Sequence, residues 1–270
     1  MPTLPPGQPP VPRPESHQQR QVAESFGADA GRYDRARPGY PEAMVARIIS
    51  ASPGPRIVDV GTGTGIAARQ FGAAGGQVLG VDPDARMAEL ARRHGLPVEV
   101  TTFESWDPAG RVFDAVIAGQ SWHWVDPVAG GAKAAQALRP GGRLALFWNA
   151  YQPPAELNEA FAVIYRRVLP DLPLGGALPG PDGYSVLGAR AADGLRQAGG
   201  FGEPEEWRFG WQRSFRRAEW LDLMPTTGGF SRLPAAQQEQ LLAGMGAAID
   251  AFGGTFTMTS ATVVITAARS

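Results

Sequence analysis

The chain has 270 residues, 43% of them hydrophobic and 19% charged, enough to bury a sizeable core in one or two domains. With 25 Lys and Arg residues against 26 Asp and Glu residues, the net charge of −1 provides no overall basic surface for nucleic acid or an anionic membrane. Because the chain has no cysteine, disulfides, thiolate metal sites and cysteine nucleophiles are excluded, and three histidines argue against a histidine-rich metal site.

The first twenty residues are rich in proline, with seven prolines before Glu15. Proline donates no backbone hydrogen bond and such a segment buries little apolar surface, so we predict a disordered tail over residues 1–20. A proline-rich ligand for a partner domain is the alternative. The N-terminus lacks the apolar stretch of a signal peptide, and no run approaches the ~18 apolar residues that cross a bilayer. We therefore expect a cytoplasmic protein without a membrane partner.

Short apolar runs alternate with helical patterns from Arg56 onwards. The runs predict five strands, at residues 56–61, 77–82, 98–103, 113–118 and 143–148. Helical patterns follow the first strand as far as Phe71 and cover residues 85–93 and 128–138. Strands that alternate with helices of this length indicate βαβ units and a parallel sheet.

The pattern is looser after Asn149. It predicts helices at residues 156–168 and 186–198, a loop at 170–183, a strand at 205–215, a helical and loop-rich segment at 217–253 and a final strand at 255–267. The final strand is predicted from its many β-branched residues. The second half of the chain therefore adds helices and two more strands to the first half.

A glycine-rich turn joins the first predicted strand to its helix, in the sequence Val58-Asp-Val-Gly61-Thr-Gly63-Thr-Gly65. Glycines let the backbone turn sharply and approach a ligand closely, and the start of the helix offers free N–H groups. Asp82 ends the next predicted strand, where a carboxylate can accept hydrogen bonds from both hydroxyls of a ribose. Together these features predict a nucleoside-containing cofactor.

Two classes of cofactor share this geometry. The stretch from Gly63 to Ala68 satisfies the dinucleotide pattern GxGxxA, so the pattern by itself fits NAD as well as S-adenosylmethionine. A short-chain dehydrogenase needs a tyrosine four residues before a lysine, but Ala129 has that position relative to Lys133, the sole lysine. Zinc-dependent dehydrogenases need cysteines that the chain lacks.

Several segments together resemble class I S-adenosylmethionine-dependent methyltransferases. They are residues 58–65, Val81-Asp82-Pro83 and Leu138-Arg-Pro-Gly-Gly142-Arg-Leu, in matching order and spacing. Residues 33–41 and 121–126 are similar to the small-molecule branch that includes trans-aconitate methyltransferase-like proteins. The resemblance is good over about residues 24–150.

The resemblance implies a fold and a domain organisation. The fold would be α/β, with a Rossmann-like, seven-stranded, mostly parallel sheet whose last strand is antiparallel. A single methyltransferase domain would occupy residues 21–270. Helical lid segments, at about 150–185 and 217–253, would cover the carboxyl ends of the strands, where open α/β sheets bind ligands.

The resemblance also implies residues around the methionine part of the cofactor. Those expected there are Gly61, Thr62, Gly63, Gly65, Gly119 and Gln120. Arg37 would pair with the methionine carboxylate, although anchoring the N-terminal segment is an alternative role. Asp59, inside the strand motif, is interpreted as structural, since its carboxylate can accept from neighbouring backbone N–H groups.

A second implied group surrounds the adenosine part. Asp82 would hold the ribose, and Pro83, Met87 and Phe103 would offer an apolar face to adenine. Glu104 would accept a hydrogen bond from the adenine amino group, although a solvent-exposed Glu104 is the alternative.

A histidine between two tryptophans follows the fourth strand. Trp122 and Trp124 are expected to line the cofactor or acceptor cavity, where an aromatic face attracts the sulfonium cation, or else to pack on the following helix. His123 is the candidate catalytic residue, because an unperturbed pKa near 6.5 suits a general base. The alternatives are that it orients the acceptor or only packs. Trp148 and Tyr151 are further expected to line the acceptor site.

The predicted reaction is transfer of a methyl group from S-adenosylmethionine to an O- or N-nucleophile of a small metabolite or natural product, without a metal. Alignment and desolvation often suffice for such a transfer, so a general base is not obligatory. Two alternatives stay open: an NAD(P)-dependent oxidoreductase and a non-catalytic S-adenosylmethionine-binding protein. Balanced charge argues against nucleic acid as the substrate.

Overall fold

The computed structural model of the chain describes residues 25–170 and 184–270. The tail predicted over residues 1–20 lies outside the described residues, as does the predicted loop from residue 171 to 183. Across the part that is described, no helix is long and apolar enough to span a membrane.

The described residues form a seven-stranded sheet with helices on its faces. The strands are β1 (Arg56–Val60), β2 (Gln77–Asp82), β3 (Val98–Val100), β4 (Phe113–Gly119), β5 (Leu138–Gln152), β6 (Glu205–Arg216) and β7 (Thr255–Ala268). Their spatial order is β3-β2-β1-β4-β5-β7-β6, with β1 to β5 parallel and β7 antiparallel to both β5 and β6. The predicted Rossmann-like α/β fold with an antiparallel last strand is therefore confirmed.

The α-helices of the described residues connect and cover these strands. They are α1 (Ala30–Ala36), α2 (Glu42–Ser50), α3 (Ile66–Ala73), α4 (Ala85–Arg93), α5 (Pro127–Ala137), α6 (Ala155–Val168), α7 (Ser185–Ala198), α8 (Arg217–Leu223) and α9 (Ala235–Ala251). Short 3₁₀ turns occur at Phe26–Asp29, Trp122–Trp124, Met224–Thr226 and Phe230–Arg232.

Local sequence signals explain several of these elements. The central strands β1 and β4 are buried on both faces, as expected where helices cover a parallel sheet. Asp126 caps the N-terminus of α5, because its carboxylate accepts hydrogen bonds from the N–H groups of Val128 and Ala129. Pro127 occupies the first helical position. Asp84 caps α4 in the same way, through the N–H of Arg86.

Two predicted strands have the wrong length. The third strand ends at Val100 rather than at residue 103, because the chain turns out of the sheet there and buries Phe103 against Trp106 and Trp122. The fifth strand runs from residue 138 to 152 rather than from 143 to 148. Its extra residues pair with neighbouring strands, as far as Gln152 opposite Thr259 of β7. Pairing with a distant strand is not visible in local periodicity.

A second apolar cluster lies beside the core of the sheet. We call it the lid core, and it consists of Leu157, Phe161, Ile164, Val168, Phe215, Trp220, Leu223, Met224, Phe230, Leu241, Met245, Ile249, Phe256 and Met258. These side chains come from α6, α8, α9, the 3₁₀ turns after α8 and the ends of β6 and β7 that meet. The two segments predicted as a lid therefore pack against each other.

The N-terminal helix α1 joins the lid core to the parallel sheet. Ala36 packs in the lid core, and Asp222 of α8 pairs with Arg32 at 3.1 Å and with Arg35 at 3.4 Å. On its other side α1 reaches the helices of the sheet, since Asp34 pairs with Arg69 at 2.7 Å. This helix thus connects the segments that surround the carboxyl ends of β1, β2 and β4.

Candidate active site

The glycine turn after β1 has a backbone that only glycine adopts without strain. Gly61, Gly63 and Gly65 have φ values of 62°, 57° and 86°. At Gly61 an added Cβ would lie 2.5 Å from the Cβ of Ser121, so no side chain fits. At Gly63 the nearest atom to an added Cβ is the methyl of Met87, at 3.5 Å. An added Cβ at Gly63 would therefore make an ordinary van der Waals contact, and the strain there comes from the backbone.

Asp82, at the end of β2, is held by the turn itself. Its two carboxylate oxygens accept hydrogen bonds from the N–H of Gly63, at 2.7 Å, and of Asp84, at 2.8 Å. Burial raises its pKa to about 6, although these two hydrogen bonds act in the opposite direction. The carboxylate is thus fixed in orientation and ionised at neutral pH, with lone pairs left for hydroxyl donors.

Asp59 is bonded to the glycine turn itself. Its carboxylate is buried and accepts a hydrogen bond from the hydroxyl of Thr62 at 2.7 Å. Burial raises its pKa to about 7, and the nearby charge of Asp82 adds to the effect. These contacts agree with the structural interpretation of Asp59.

A large cavity of about 590 Å³ opens at the carboxyl ends of β1, β2 and β4. A volume between ~300 and 1,000 Å³ is usual for a site that holds a small molecule or cofactor. Of the residues predicted around the cofactor, those on its wall are Arg37, Gly61, Gly63, Asp82, Pro83, Met87, Phe103, Glu104, Gly119 and Gln120. The fold thus brings together residues from five separate segments.

A smaller cavity of about 40 Å³ adjoins the large one at the glycine turn. The two share Tyr33, Arg37, Gly61, Gly63, Gly119 and Gln120. Thr62 and Tyr151 line only the small cavity. The expected placement of Tyr151 therefore needs correction, because it lies on a narrow polar recess and not on the wall of the large cavity.

Gly65 lines neither cavity. Its N–H donates to the carbonyl of Thr62, and an added Cβ would meet Leu96 at 3.3 Å. A side chain at this position would therefore point towards Ala91, in α4, and Leu96, just after α4. Gly65 shapes the turn and starts α3, and the expectation that it lies directly under the cofactor is not met.

Arg37 anchors the N-terminal segment, which is one of the two roles that the sequence left open. Its guanidinium donates to the carbonyl of Thr226 and lies 5.0 Å from the ring centroid of Tyr33. Its Nε is buried and, within the described residues, has no hydrogen-bond partner. Because a buried donor without a partner is costly, an anion in the adjoining cavities would satisfy it.

The end of β4 carries backbone strain. Gln120 has a φ of 56°, a left-handed conformation that is uncommon for a residue with a side chain. Gly119, just before it, has no room for a Cβ, which would lie 2.6 Å from the hydroxyl of Tyr40 and 2.7 Å from Phe147. Strain of this kind is often stored at functional sites, and here it lies where the two cavities meet.

The two tryptophans beside His123 have different surroundings. Trp124 lines the large cavity and meets the ring of Phe26 edge-on at 6.2 Å. Trp122 is buried in the core against Phe103 and Gly130 of α5, so for this residue the packing alternative is correct. Trp148 is buried too, and its indole N–H donates to Nδ1 of His123 at 3.3 Å. Trp122 and Trp148 are therefore not wall residues, contrary to expectation.

His123 lies on the wall of the large cavity. Burial lowers its pKa to about 4, so the ordinary value near 6.5 that the sequence suggested is wrong. The reason is desolvation, which disfavours the charged imidazole. His123 is consequently neutral at physiological pH.

Glu104 also faces the large cavity, but one of its oxygens is engaged. Its Oε1 accepts a hydrogen bond from the N–H of Asp126 at 3.0 Å. The side chain is half-buried, so the alternative of a freely exposed Glu104 is not correct. Its other oxygen stays available to a donor.

Several wall residues were not predicted from the sequence. They include Phe26, Tyr33, Asp84, Ser121, Tyr184, Val186, Leu187 and Gly228. Tyr33 lies in the segment that resembled the small-molecule branch, so a signal for it existed. Phe26, Tyr184 and Gly228 reach the cavity only through tertiary packing, which no local pattern reveals. In the described ranges, no group of three or more metal-binding side chains is assembled.

The sequence also matches a known family. Residues 58–146 match the family described as methyltransferase domain. This stretch runs from β1 to β5 and includes the glycine turn, Asp82 and the end of β4. Over these residues the match agrees with the resemblance to methyltransferases, and the similarity to the small-molecule branch stays a prediction.

Curated relatives support the same family. An uncharacterized methyltransferase of Mycobacterium tuberculosis (strain ATCC 25618 / H37Rv) is 38% identical over 133 residues, covering 48% of this chain and 54% of the relative. A demethylmenaquinone methyltransferase of Mycobacterium sp. (strain KMS) is 29% identical over 157 residues, covering 55% of this chain and 66% of the relative. The chain thus spans about half to two thirds of the length of these relatives.

A solved structure shows the same fold. A putative type II methyltransferase from Anaeromyxobacter dehalogenans superposes with a TM-score of 0.63 and covers 85% of this chain and 97% of the other, at 22% identity. At that identity the similarity concerns the fold.

Proposed function

We propose that this chain, whose residues 58–146 match the methyltransferase domain family, is a class I S-adenosylmethionine-dependent methyltransferase that acts on a small molecule. The observation that carries the proposal is the large cavity at the strand ends. It combines a glycine turn, the fixed carboxylate of Asp82 and an apolar wall within one space of about 590 Å³. An adenosine joined to a charged amino acid needs these three elements.

The residues on the wall fit that cofactor. Asp82 would accept hydrogen bonds from the ribose hydroxyls, and Pro83, Met87 and Phe103 would contact the adenine ring. Glu104 has one oxygen free for the adenine amino group. Gly63 lines the large cavity, so a ligand can approach its backbone closely.

The methionine part would lie where the two cavities meet. Gly61, Gly119 and Gln120 border both cavities there, and Thr62 lines the small one. The unpartnered Nε of Arg37 supports its assignment to the methionine carboxylate.

When bound, S-adenosylmethionine supplies an electrophilic methyl group on a sulfonium. The chain contributes alignment and exclusion of water, which are large effects in such transfers. Phe26 and Tyr33 from the N-terminal segment, Tyr184 and Leu187 at the start of α7, and Gly228 close the cavity from above the strands. Trp124 adds an aromatic face, which suits a sulfonium cation.

The acceptor is proposed to be a small molecule with an apolar or aromatic body and an O- or N-nucleophile. Phe26, Trp124, Val186 and Leu187 support this class, because they form an apolar part of the wall. The similar demethylmenaquinone methyltransferase is named for a quinone-type small molecule, which agrees with the proposal. A cytoplasmic location and a single domain over residues 21–270 complete it.

Calorimetry tests the cofactor. We expect S-adenosylmethionine to bind and NAD not to bind, and Asp82→Ala to lose about 1.5–3 kcal/mol of binding energy, because the ribose hydroxyls lose a charged partner. Asp114→Asn is the matched control. Asp114 is equally buried, but it holds the N–H of Arg56 at the opposite end of β1, so it should affect stability and not affinity. NAD binding, or unchanged affinity in Asp82→Ala, would refute the assignment.

Methyl release tests catalysis. A screen of small acceptors with radiolabelled cofactor should yield a methylated product and S-adenosylhomocysteine. Cofactor binding without methyl transfer to any acceptor in the screen would favour the alternative of a non-catalytic binding protein.

A further inference from the structure

The contact between Trp148 and His123 determines which nitrogen of the imidazole carries the proton. Trp148 lies on β5, is 1% exposed, and its indole N–H points at Nδ1 of His123 over 3.3 Å. An indole nitrogen can only donate, and a nitrogen that accepts a hydrogen bond carries no proton. The neutral imidazole therefore has its proton on Nε2.

The surroundings keep the ring neutral and in place. The imidazole packs against the ring of Trp124, with 4.7 Å between the centroids. Burial lowers the pKa of His123, so the ring stays uncharged at physiological pH. The N–H donor at Nε2 is thus the polar group that a neutral His123 has left to offer to the cavity.

The carboxylates on the same wall are engaged elsewhere. Asp82 accepts two backbone N–H groups, Asp84 pairs with Arg86 at 2.7 Å, and Glu104 accepts the N–H of Asp126. In the proposed function the remaining lone pairs of Asp82 and the second oxygen of Glu104 face the ribose and the adenine of the cofactor, so neither is placed to take a proton from an acceptor. Among the described residues, the wall of the large cavity therefore presents a donor at His123 and no carboxylate beyond those assigned to the cofactor or to Arg86.

We propose that Trp148 is a positioning residue that fixes His123 in its Nε2–H form, so that His123 donates a hydrogen bond to the acceptor instead of removing its proton. This inference rests on the proposed function and deepens it. The acceptor then carries a lone-pair atom, an oxygen or an unprotonated nitrogen, that faces Nε2. Its nucleophile enters the cavity already ionised, or as a free amine, because the described residues of the wall supply no base for it.

Nuclear magnetic resonance of the cofactor-free protein tests the positioning role without any activity. In protein labelled with ¹⁵N on histidine, the two-bond correlations of His123 should show a single Nε2–H tautomer at pH 7. In Trp148→Phe, which keeps the aromatic packing but removes the indole N–H, the shifts should move towards a mixture of tautomers. Trp207→Phe is the control, since its indole donates to Glu205, away from the cavity, and His123 should not change. An Nδ1–H tautomer or a charged ring in the parent would overturn the proposal.

Turnover tests the donor role. His123→Gln places an amide N–H near the position of Nε2 and should retain kcat within about tenfold, whereas His123→Leu, which has no donor, should lose about 10²-fold. Cofactor affinity should be unchanged in both. Equal loss in the two variants, together with loss of an ionisation between pH 5.5 and 7.5 from the rate profile, would instead identify His123 as a base.

The two proposals fail in different ways. If S-adenosylmethionine does not bind in calorimetry, the proposed function is wrong, while the tautomer of His123 still reports whether Trp148 fixes the ring. If the cofactor binds but the tautomer is Nδ1–H, only the positioning role is wrong.

Discussion

The carboxyl ends of β1, β2 and β4 and the lid core are stabilised by different kinds of interaction. At the strand ends, glycines with positive φ and buried carboxylates hold the backbone in one shape, as at Gly61 and Asp82. In the lid core, aromatic and aliphatic side chains pack on each other, as where Trp220 stacks on Phe161 with 5.7 Å between centroids. The first region depends on backbone geometry and the second on side-chain volume.

This difference bears on how each region can vary. An apolar core tolerates substitution if volume is kept, whereas a residue with positive φ and no room for a Cβ tolerates none. We therefore expect cofactor binding to depend on a few residues at the strand ends. Acceptor choice, by contrast, is expected to depend on wall residues of the lid segments, such as Tyr184 and Gly228.

The largest effect is expected from Trp220→Ala in the lid core. The indole is buried against Phe161, Phe215 and Phe256, so its removal leaves a cavity and should cost about 3–5 kcal/mol of folding stability. In protein that is still folded, affinity for S-adenosylmethionine should stay within about twofold. Thermal unfolding and calorimetry measure the two quantities. A parallel loss of affinity would show that the two regions do not act separately.

The converse effect is expected from Gly63→Val at the strand ends. The φ of 57° adds about 1–3 kcal/mol of strain for a residue with a side chain, and the valine would occupy the space that faces Met87. We expect affinity for the cofactor to fall by at least about 10²-fold, or ~2.7 kcal/mol. Gly210→Val is the control, because Gly210 lies on β6 with no atom within 4 Å of an added Cβ. Equal affinity for the cofactor in Gly63→Val and in the parent would show that the glycine turn is not part of the cofactor site.

The same distinction explains what could be predicted from the sequence. Residues 58–65 and Asp82 lie within one βαβ unit, and the constraint on each is local, so the turn and the carboxylate were correctly placed beside each other. Trp148, the last residue of a predicted strand, was expected to line the acceptor site. Its side chain instead points to His123, and only the packed structure shows which face of β5 is buried.

The lid was harder to predict. Its helices were recognised from their periodicity, but their partners were not, since Phe26 and Gly228 are distant in sequence and adjoin in space. The expectation of an ordinary pKa for His123 was wrong for a similar reason, because desolvation depends on all the residues that surround the imidazole. Local backbone constraints can be predicted from one sequence, whereas the set of distant residues that surround a site cannot.

A smaller effect is expected from pH at the strand ends. Burial raises the pKa of Asp82 to about 6, so the carboxyl becomes protonated as the pH falls through 6, and cofactor affinity should drop by up to about tenfold per pH unit below that value. The effect on stability has the opposite sign. Between the unfolded value near 4 and the folded value near 6, the folded state binds more protons, so the contribution of Asp82 to stability decreases as the pH rises.

Calorimetry across pH 5–8 measures how cofactor affinity changes with pH, and variants show which carboxyl group causes the slope. Asp82→Asn should abolish the slope below pH 6. Asp59→Asn should leave it in place, although burial raises the pKa of Asp59 to about 7, because Asp59 bonds to Thr62 and not to the large cavity. A slope that persists in Asp82→Asn would assign the titration to another group.

The smallest effect is expected where the N-terminal helix meets the lid. Asp222 pairs with Arg32 and Arg35, but Arg35 is 67% exposed and water competes for both contacts. Asp222→Asn should therefore change stability by at most about 1 kcal/mol, and less in high salt. Glu159→Gln, which removes a comparable exposed pair with Arg166, is the control. Because Arg37 still donates to the carbonyl of Thr226 when Asp222 is changed, α1 should stay docked and cofactor affinity should be unaltered. A large, salt-dependent loss of affinity in Asp222→Asn alone would mean that ion pairs, and not apolar packing, hold the N-terminal helix over the cavity.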